Sequence, residues 1–216
     1  MNNYPDHPLI KEKYITASCL IGNHAIYKNG EKIFEDKESN ASRFMENIYN
    51  HFNIGYPKFF KMDNLGKLGL LASEILLRDS FKAENYQPDE MGIVLSNSNS
   101  SLDTDIRYYK STQDIPSPAL FVYTLPNIVI GEICIRNNFK GENAFFVFKQ
   151  FDATFIAQYV NHLFDTGIVQ ACICGWVEFL EENYKAVLLL VEKKQESNFL
   201  VFTEENINKI YGADNG

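Results

Sequence analysis

The sequence predicts an α/β fold with a mixed sheet and helices on both of its faces. Three observations lead there. Between Phe139 and Glu178 the apolar pattern switches from strand to helix and back: Ala144–Phe148 reads as a strand, Ala153–Phe164 as a helix, and Ala171–Val177 as a second strand. A chain of 216 residues is long enough to bury one substantial core, so residues 1–216 are read as a single domain. Hydrophobic residues make up 45% of the chain and aromatic residues 14%, a composition that orders itself rather than staying disordered.

In chain order, Tyr14–Leu20 is a first strand, and His24–Phe34 reads as a hairpin whose tight turn is Asn29-Gly30. Ser39–Phe52 carries helical spacing through Phe44, Ile48 and Phe52, and Gly55-Tyr56-Pro57 breaks it. Phe60–Leu77 is a longer amphipathic helix with Leu65, Leu68, Leu71, Ala72, Ile75 and Leu76 on one face. Gly92–Leu95 is the next strand, and Ser96–Ser101 a polar loop after it without the glycine spacing of a phosphate loop. The large apolar run Ala144–Phe148 reads as a buried strand. The chain turns at Lys149-Gln150-Phe151-Asp152, with Asp152 placed to cap a helix. That helix repeats Phe155, Ile156, Tyr159, Val160 and Leu163 before Gly167. Tyr184–Glu192 is a last core strand, and a short helix, Glu204–Tyr211, follows.

The formal net charge of −8 disfavours nucleic acid and anionic membrane as partners. The first ten residues lack a basic stretch followed by an apolar run, so no signal peptide is read there. The longest aliphatic run, Ala186–Val191, is too short to span a bilayer. A soluble, cytoplasmic protein is the expectation, without metal or cofactor. Cys19, Cys134, Cys172 and Cys174 suit neither a zinc site nor a disulfide framework and read as buried, reduced thiols. Asp103-Thr104-Asp105 is a pair of carboxylates of the kind that is usually solvated. His7, His24, His51 and His162 have no partner visible in the sequence, and His162 is expected at the surface or in packing. Asn40 and Asn99 head glycosylation sequons in form only.

A turn from a strand into a helix N-terminus is where α/β enzymes present a nucleophile, because amides at the helix end stabilise developing negative charge. The marks around this turn are Gly141, Gly175 and Glu178, with spacing between them that needs no gap. Upstream stand Gly92–Asp105 and Pro116–Glu142. Together, over most of Lys61–Lys193, they resemble the active-site elbow and flanking elements of the β-ketoacyl synthases, members of the thiolase fold. The resemblance implies a thiolase-like half: a mixed five-stranded sheet with helices on both faces, matching the N-terminal half of a synthase only. It also implies that Gln150 stands where the reactive cysteine belongs. Glutamine at this place is similar to chain-length factors and to decarboxylating loading synthases. A carboxamide has no proton to lose, although it donates and accepts hydrogen bonds. Hence no catalytic residue is assigned, and Gln150, Phe151 and Asp152 become the candidate substrate-binding group. The two histidines and lysine that such synthases supply from their second half have no counterpart here.

In the thiolase fold the strand before the elbow lies at a sheet edge and pairs with its twin across a dimer axis. An apolar edge is an aggregation hazard unless covered. Ala144, Phe145, Phe146, Val147 and Phe148, with Phe121 and Tyr123, are therefore the expected interface. Three functional readings stay open. One is a partner protein like a chain-length factor, paired with a full-length synthase in polyketide, aryl-polyene or fatty-acid-like assembly on an acyl carrier protein. The second is a decarboxylase of malonyl carrier protein that uses Gln150 and borrows histidines from another chain. The third is a self-pairing module, a homodimer without an acyl substrate.

Overall fold

The computed structural model describes residues 12–213. The N-terminal ten residues and His7 among them lie outside the described residues. The elements run β1 Tyr14–Gly22, β2 Ala25–Lys28, β3 Glu31–Glu35, α1 Ala41–His51, α2 Asn64–Leu77, β4 Met91–Asn97, α3 Leu102–Ser111, α4 Pro118–Phe121 and α5 Ile128–Asn137. There follow β5 Asn143–Val147, α6 Ala153–Asp165, β6 Ala171–Leu180, β7 Asn183–Glu192, β8 Leu200–Val201 and α7 Glu204–Tyr211.

The strands form one eight-stranded sheet in the order β3-β2-β1-β7-β6-β4-β5, with β8 pairing β1. β4 runs parallel to both β5 and β6, and the remaining pairs are antiparallel. The mixed sheet with helices on both faces is as expected, but five strands is a low count. The hairpin β2–β3 joins the edge of β1 instead of standing apart, because Ala25 and Ile26 are buried there. The β1–β2 and β2–β3 turns each place two consecutive residues in the left-handed region, Asn23-His24 and Asn29-Gly30, as the twist of paired strands favours.

Neighbouring residues of the central strands point to opposite faces, and both faces are covered. Ile93, Ile173 and Leu188 meet α1, α2 and α5, while Val94, Cys172, Cys174 and Leu189 meet α6 and α7. α2 is apolar nearly all round because it lies between the sheet and its neighbour helices; Leu70 and Ser73 are buried beyond the stripe read from the sequence. It begins at Asn64 and not at Phe60. Pro57–Lys61 closes a separate 3-10 turn, and the Asp63 carboxylate caps α2 by accepting the Gly66 amide at 2.8 Å. α3 was not expected at all, since its large apolar residues point outward rather than into a core.

Two glycines close the sheet. A Cβ at Gly141 would lie 2.3 Å from the Met91 carbonyl oxygen. At Gly175, φ is +145° and a Cβ would lie 2.0 Å from the Val187 carbonyl oxygen. The glycine marks that carry the resemblance thus have packing reasons of their own.

Candidate functional site

The turn between β5 and α6 is a strand-to-helix junction, as read from the sequence. The Phe148 amide donates to the Asn97 carbonyl at 2.9 Å, which ties the end of β5 to the end of β4. Lys149 and Gln150 are exposed. Asp152 accepts the Phe155 amide at 2.8 Å, so its carboxylate is spent on capping α6. The three predicted site residues therefore diverge. Gln150 looks to solvent, Asp152 serves the helix, and Phe151 is half-buried beneath α7. Tyr211 stacks on the Phe151 ring at 4.2 Å, Trp176 meets it edge-on at 5.9 Å, and the Lys185 ammonium lies 4.3 Å from the Tyr211 ring centre. Sequence reading missed Trp176 and Tyr211, because nothing local links them to the turn.

The carboxyl end of β4 is organised by Glu178. One of its oxygens accepts the Ser98 amide at 2.6 Å, the Ser98 hydroxyl at 2.5 Å and the Asn99 amide at 3.2 Å. Asn97 closes the same loop through Ser100, with its amide nitrogen donating to the Ser100 carbonyl at 2.8 Å. Glu178, one of the marks of the resemblance, holds a loop here.

No cysteine stands at the junction. Cys19, Cys172 and Cys174 are buried, and burial pushes their thiols up, Cys19 to about 12. Cys134 is half-buried on α5 with its thiol also raised by burial. Among the described residues no group of three histidine, cysteine, aspartate or glutamate side chains is placed to hold a metal. Asp103 is not solvated as expected: it accepts the Asn64 side-chain amide at 3.3 Å and the Glu181 backbone amide at 3.0 Å. His162 and His51 are exposed, and His24 packs edge-on against Phe44 and Tyr184. A cavity of about 560 Å³ opens beside β1, lined among others by Thr16, Ser18, Tyr27, Lys194, Phe199 and Ile210; none of Gln150, Phe151 and Asp152 reaches it.

β5 ends the sheet, pairing with β4 alone. The expectation that it is buried does not hold. As a terminal strand it has one neighbour, and Ala144–Phe146 are only partly covered while Val147 is 52% exposed. Phe146 and Phe148 face α6, where Phe155 and Tyr159 join them. The ring centres of Phe146 lie 4.7 Å from Phe155 and 5.1 Å from Tyr159, and those of Phe148 and Phe155 are 5.0 Å apart. Phe145 packs toward the α2 side instead. The result is a free edge flanked by a half-exposed aromatic cluster. Phe155 and Tyr159, four apart on α6, belong to the apolar repeat read from the sequence. Of the two outlying interface candidates, Phe121 is 59% exposed, but Tyr123 is buried at 8% and donates its hydroxyl to Glu132 at 3.0 Å. Tyr123 leaves the interface group because its polar end finds an internal acceptor.

No helix among the described residues is long and apolar enough to cross a membrane. No protein-family model and no curated protein matches the chain. Solved structures do. The ishigamide ketosynthase/chain length factor matches with TM-score 0.60 and 17% identity, over 84% of this chain and 62% of that one. A type II polyketide acyl-carrier protein in complex with its ketosynthase bound to the hexaketide (AntDE:AntF) matches with TM-score 0.58 and 12% identity, over 85% and 63%. The chain thus spans less than two thirds of the length of these two. The ketosynthase ApeO in complex with its chain length factor ApeC, from Xenorhabdus doucetiae, matches with TM-score 0.54 and 12% identity, over 92% of this chain and 89% of that one. The chain has the thiolase-like fold of ketosynthases and chain length factors.

Proposed function

We propose that this chain is a non-condensing partner of a ketosynthase, resembling a chain length factor, and that it pairs through β5 in polyketide, aryl-polyene or fatty-acid-like assembly on an acyl carrier protein. The observation that carries the reading is the free, aromatic-flanked edge of β5. It belongs to a fold that covers 92% of this chain and 89% of the matched chain in one ketosynthase–chain length factor complex. Main-chain groups on such an edge bind a strand of a second chain, and the adjoining rings supply apolar area that is best removed from water. The junction supports the non-condensing part: Gln150 offers no nucleophile, and Phe151 lies under Tyr211. A cytoplasmic setting goes with this reading.

The test is co-expression with a ketosynthase encoded in the same genome, followed by size-exclusion chromatography with light scattering. A one-to-one complex is expected. A homodimer that ignores the ketosynthase supports the self-pairing module instead. Purified protein incubated alone with malonyl carrier protein should leave it intact, and released carbon dioxide would favour the decarboxylase.

A further inference from the structure

The outer edge of β1 is covered in two pieces. β8 pairs with Tyr14 and Ile15, and β2 pairs from Cys19 to Gly22; among the described residues no strand lies against 16–18 between them. The gap is not open to a further strand, because the β2–β3 turn takes up the main-chain groups of Ser18. The Asn29 carboxamide oxygen accepts the Ser18 amide at 2.8 Å, and the Asn29 backbone amide donates to the Ser18 carbonyl at 3.0 Å. The cavity of about 560 Å³ lies at this gap, bounded by the connection from β7 to β8 and by α7. Its volume is that of a site for a small organic molecule.

The lining is divided. Ile15, Leu20, Phe199 and Ile210 supply apolar surface. The hydroxyls of Ser18 and Tyr27 and the ammonium of Lys209 also line the cavity, and none of the three has a hydrogen-bond or ion-pair partner among the described residues. Glu205, one turn earlier on α7, makes no ion pair with Lys209. The acids of the lining are already matched: Glu196 is paired with Lys194 at 2.6 Å, and Asp79 has Lys28 as its cationic neighbour. The Thr16 hydroxyl is likewise spent, donating to the buried Glu192 carboxylate. What is left over is apolar wall, two free hydroxyls and one uncompensated positive charge. The geometry points to a binding site for a small amphipathic organic anion, its apolar body on Ile15, Leu20, Phe199 and Ile210 and its carboxylate served by Lys209, Ser18 and Tyr27. A carboxylate accepts several donors at once and gains most from a charged one. A neutral molecule of the same shape forgoes that gain, and a cationic one sets two like charges together. None of Gln150, Phe151 and Asp152 lines this cavity, so the inference stands apart from the ketosynthase reading.

The experiment titrates the full chain with 2-naphthoate, 2-naphthol and 2-naphthylmethylammonium, three probes of one shape and different charge, and follows backbone amides by NMR. 2-Naphthoate should shift the amides of 15–20, 27–30, 198–200 and 209–210, leave those of 148–155 in place, and bind roughly tenfold more tightly than either analogue. Lys209→Gln, on the exposed side of α7, should weaken it about fivefold, the worth of one ion pair near a surface. Leu200→Trp puts a larger ring into the cavity from a position 40% exposed, and should weaken it roughly tenfold. Both variants should unfold thermally as the wild type does, and Lys37→Gln, remote in sequence and exposed, should bind as the wild type does, which excludes a general attraction of the anion. Absence of saturable binding, shifts centred elsewhere, or binding indifferent to Leu200→Trp overturns the site. Equal affinity for the three probes, or affinity unchanged in Lys209→Gln, overturns its preference for an anion.

Discussion

Gln150 illustrates how little one side chain decides by itself. Placing a thiol there would create an exposed cysteine at a helix N-terminus, a setting that favours thiolate formation. Gln150→Cys should therefore react readily with iodoacetamide, and under the non-condensing partner reading it should yield no condensation product by mass spectrometry with acyl and malonyl carrier protein. Asp63 makes the opposite point. Burial raises its pKa, with the Thr104 and Gly66 hydrogen bonds opposing that rise. A carboxyl whose folded-state pKa lies above its unfolded value holds its proton more tightly when folded. Stability from this group hence falls as pH climbs from the ordinary carboxylate value through the raised one. Asp63→Asn should flatten that dependence in urea melts run between pH 4 and 7 and cost little, because asparagine caps helices equally well. Asp63→Ala should cost about 1–2 kcal/mol.

Among the elements, β5 sets a clear contrast between two substitutions. Phe146 touches Phe148, Phe155 and Tyr159, so Phe146→Asp puts a charge into the chain's own packing as well as into any partner's. Val147 is half exposed on the other side of the strand. Val147→Asp should leave thermal unfolding within about 0.5 kcal/mol of wild type, as for an ordinary surface change, and yet abolish co-elution with the ketosynthase. Phe146→Asp should lower both. If Val147→Asp still co-elutes, β5 is not the pairing edge. α3 shows where element reading fails. Leu102, Ile106 and Tyr109 have helical spacing, but they face out, and no element is read there from the sequence because a stripe is only informative when something covers it.

At the scale of the whole molecule, the two-sided sheet hides its thiols. Cys19 lies in the core under α2, and Cys172 and Cys174 in the one under α6, all with raised pKa values. Native protein should accordingly show at most about one thiol to Ellman's reagent, the half-buried Cys134, and all four once guanidinium unfolds it. Faster reaction of the others would mean that the sheet opens locally far below the cost of global unfolding.

The strand-to-helix junction, its Asp152 cap, the Asn29-Gly30 turn and the α/β class with helices on both faces of the sheet were legible in the sequence, because they follow from contacts within a few residues and from apolar periodicity. So was the resemblance, through Gly141, Gly175 and Glu178. Only the tertiary structure decided that β5 is half-exposed, that Tyr123 turns inward to Glu132, that Tyr211 covers Phe151, and that the hairpin enlarges the sheet to eight strands. Each of these depends on which distant element arrives beside a residue. A side chain's chemistry is fixed locally, whereas its burial and its hydrogen-bond partner are set by the fold.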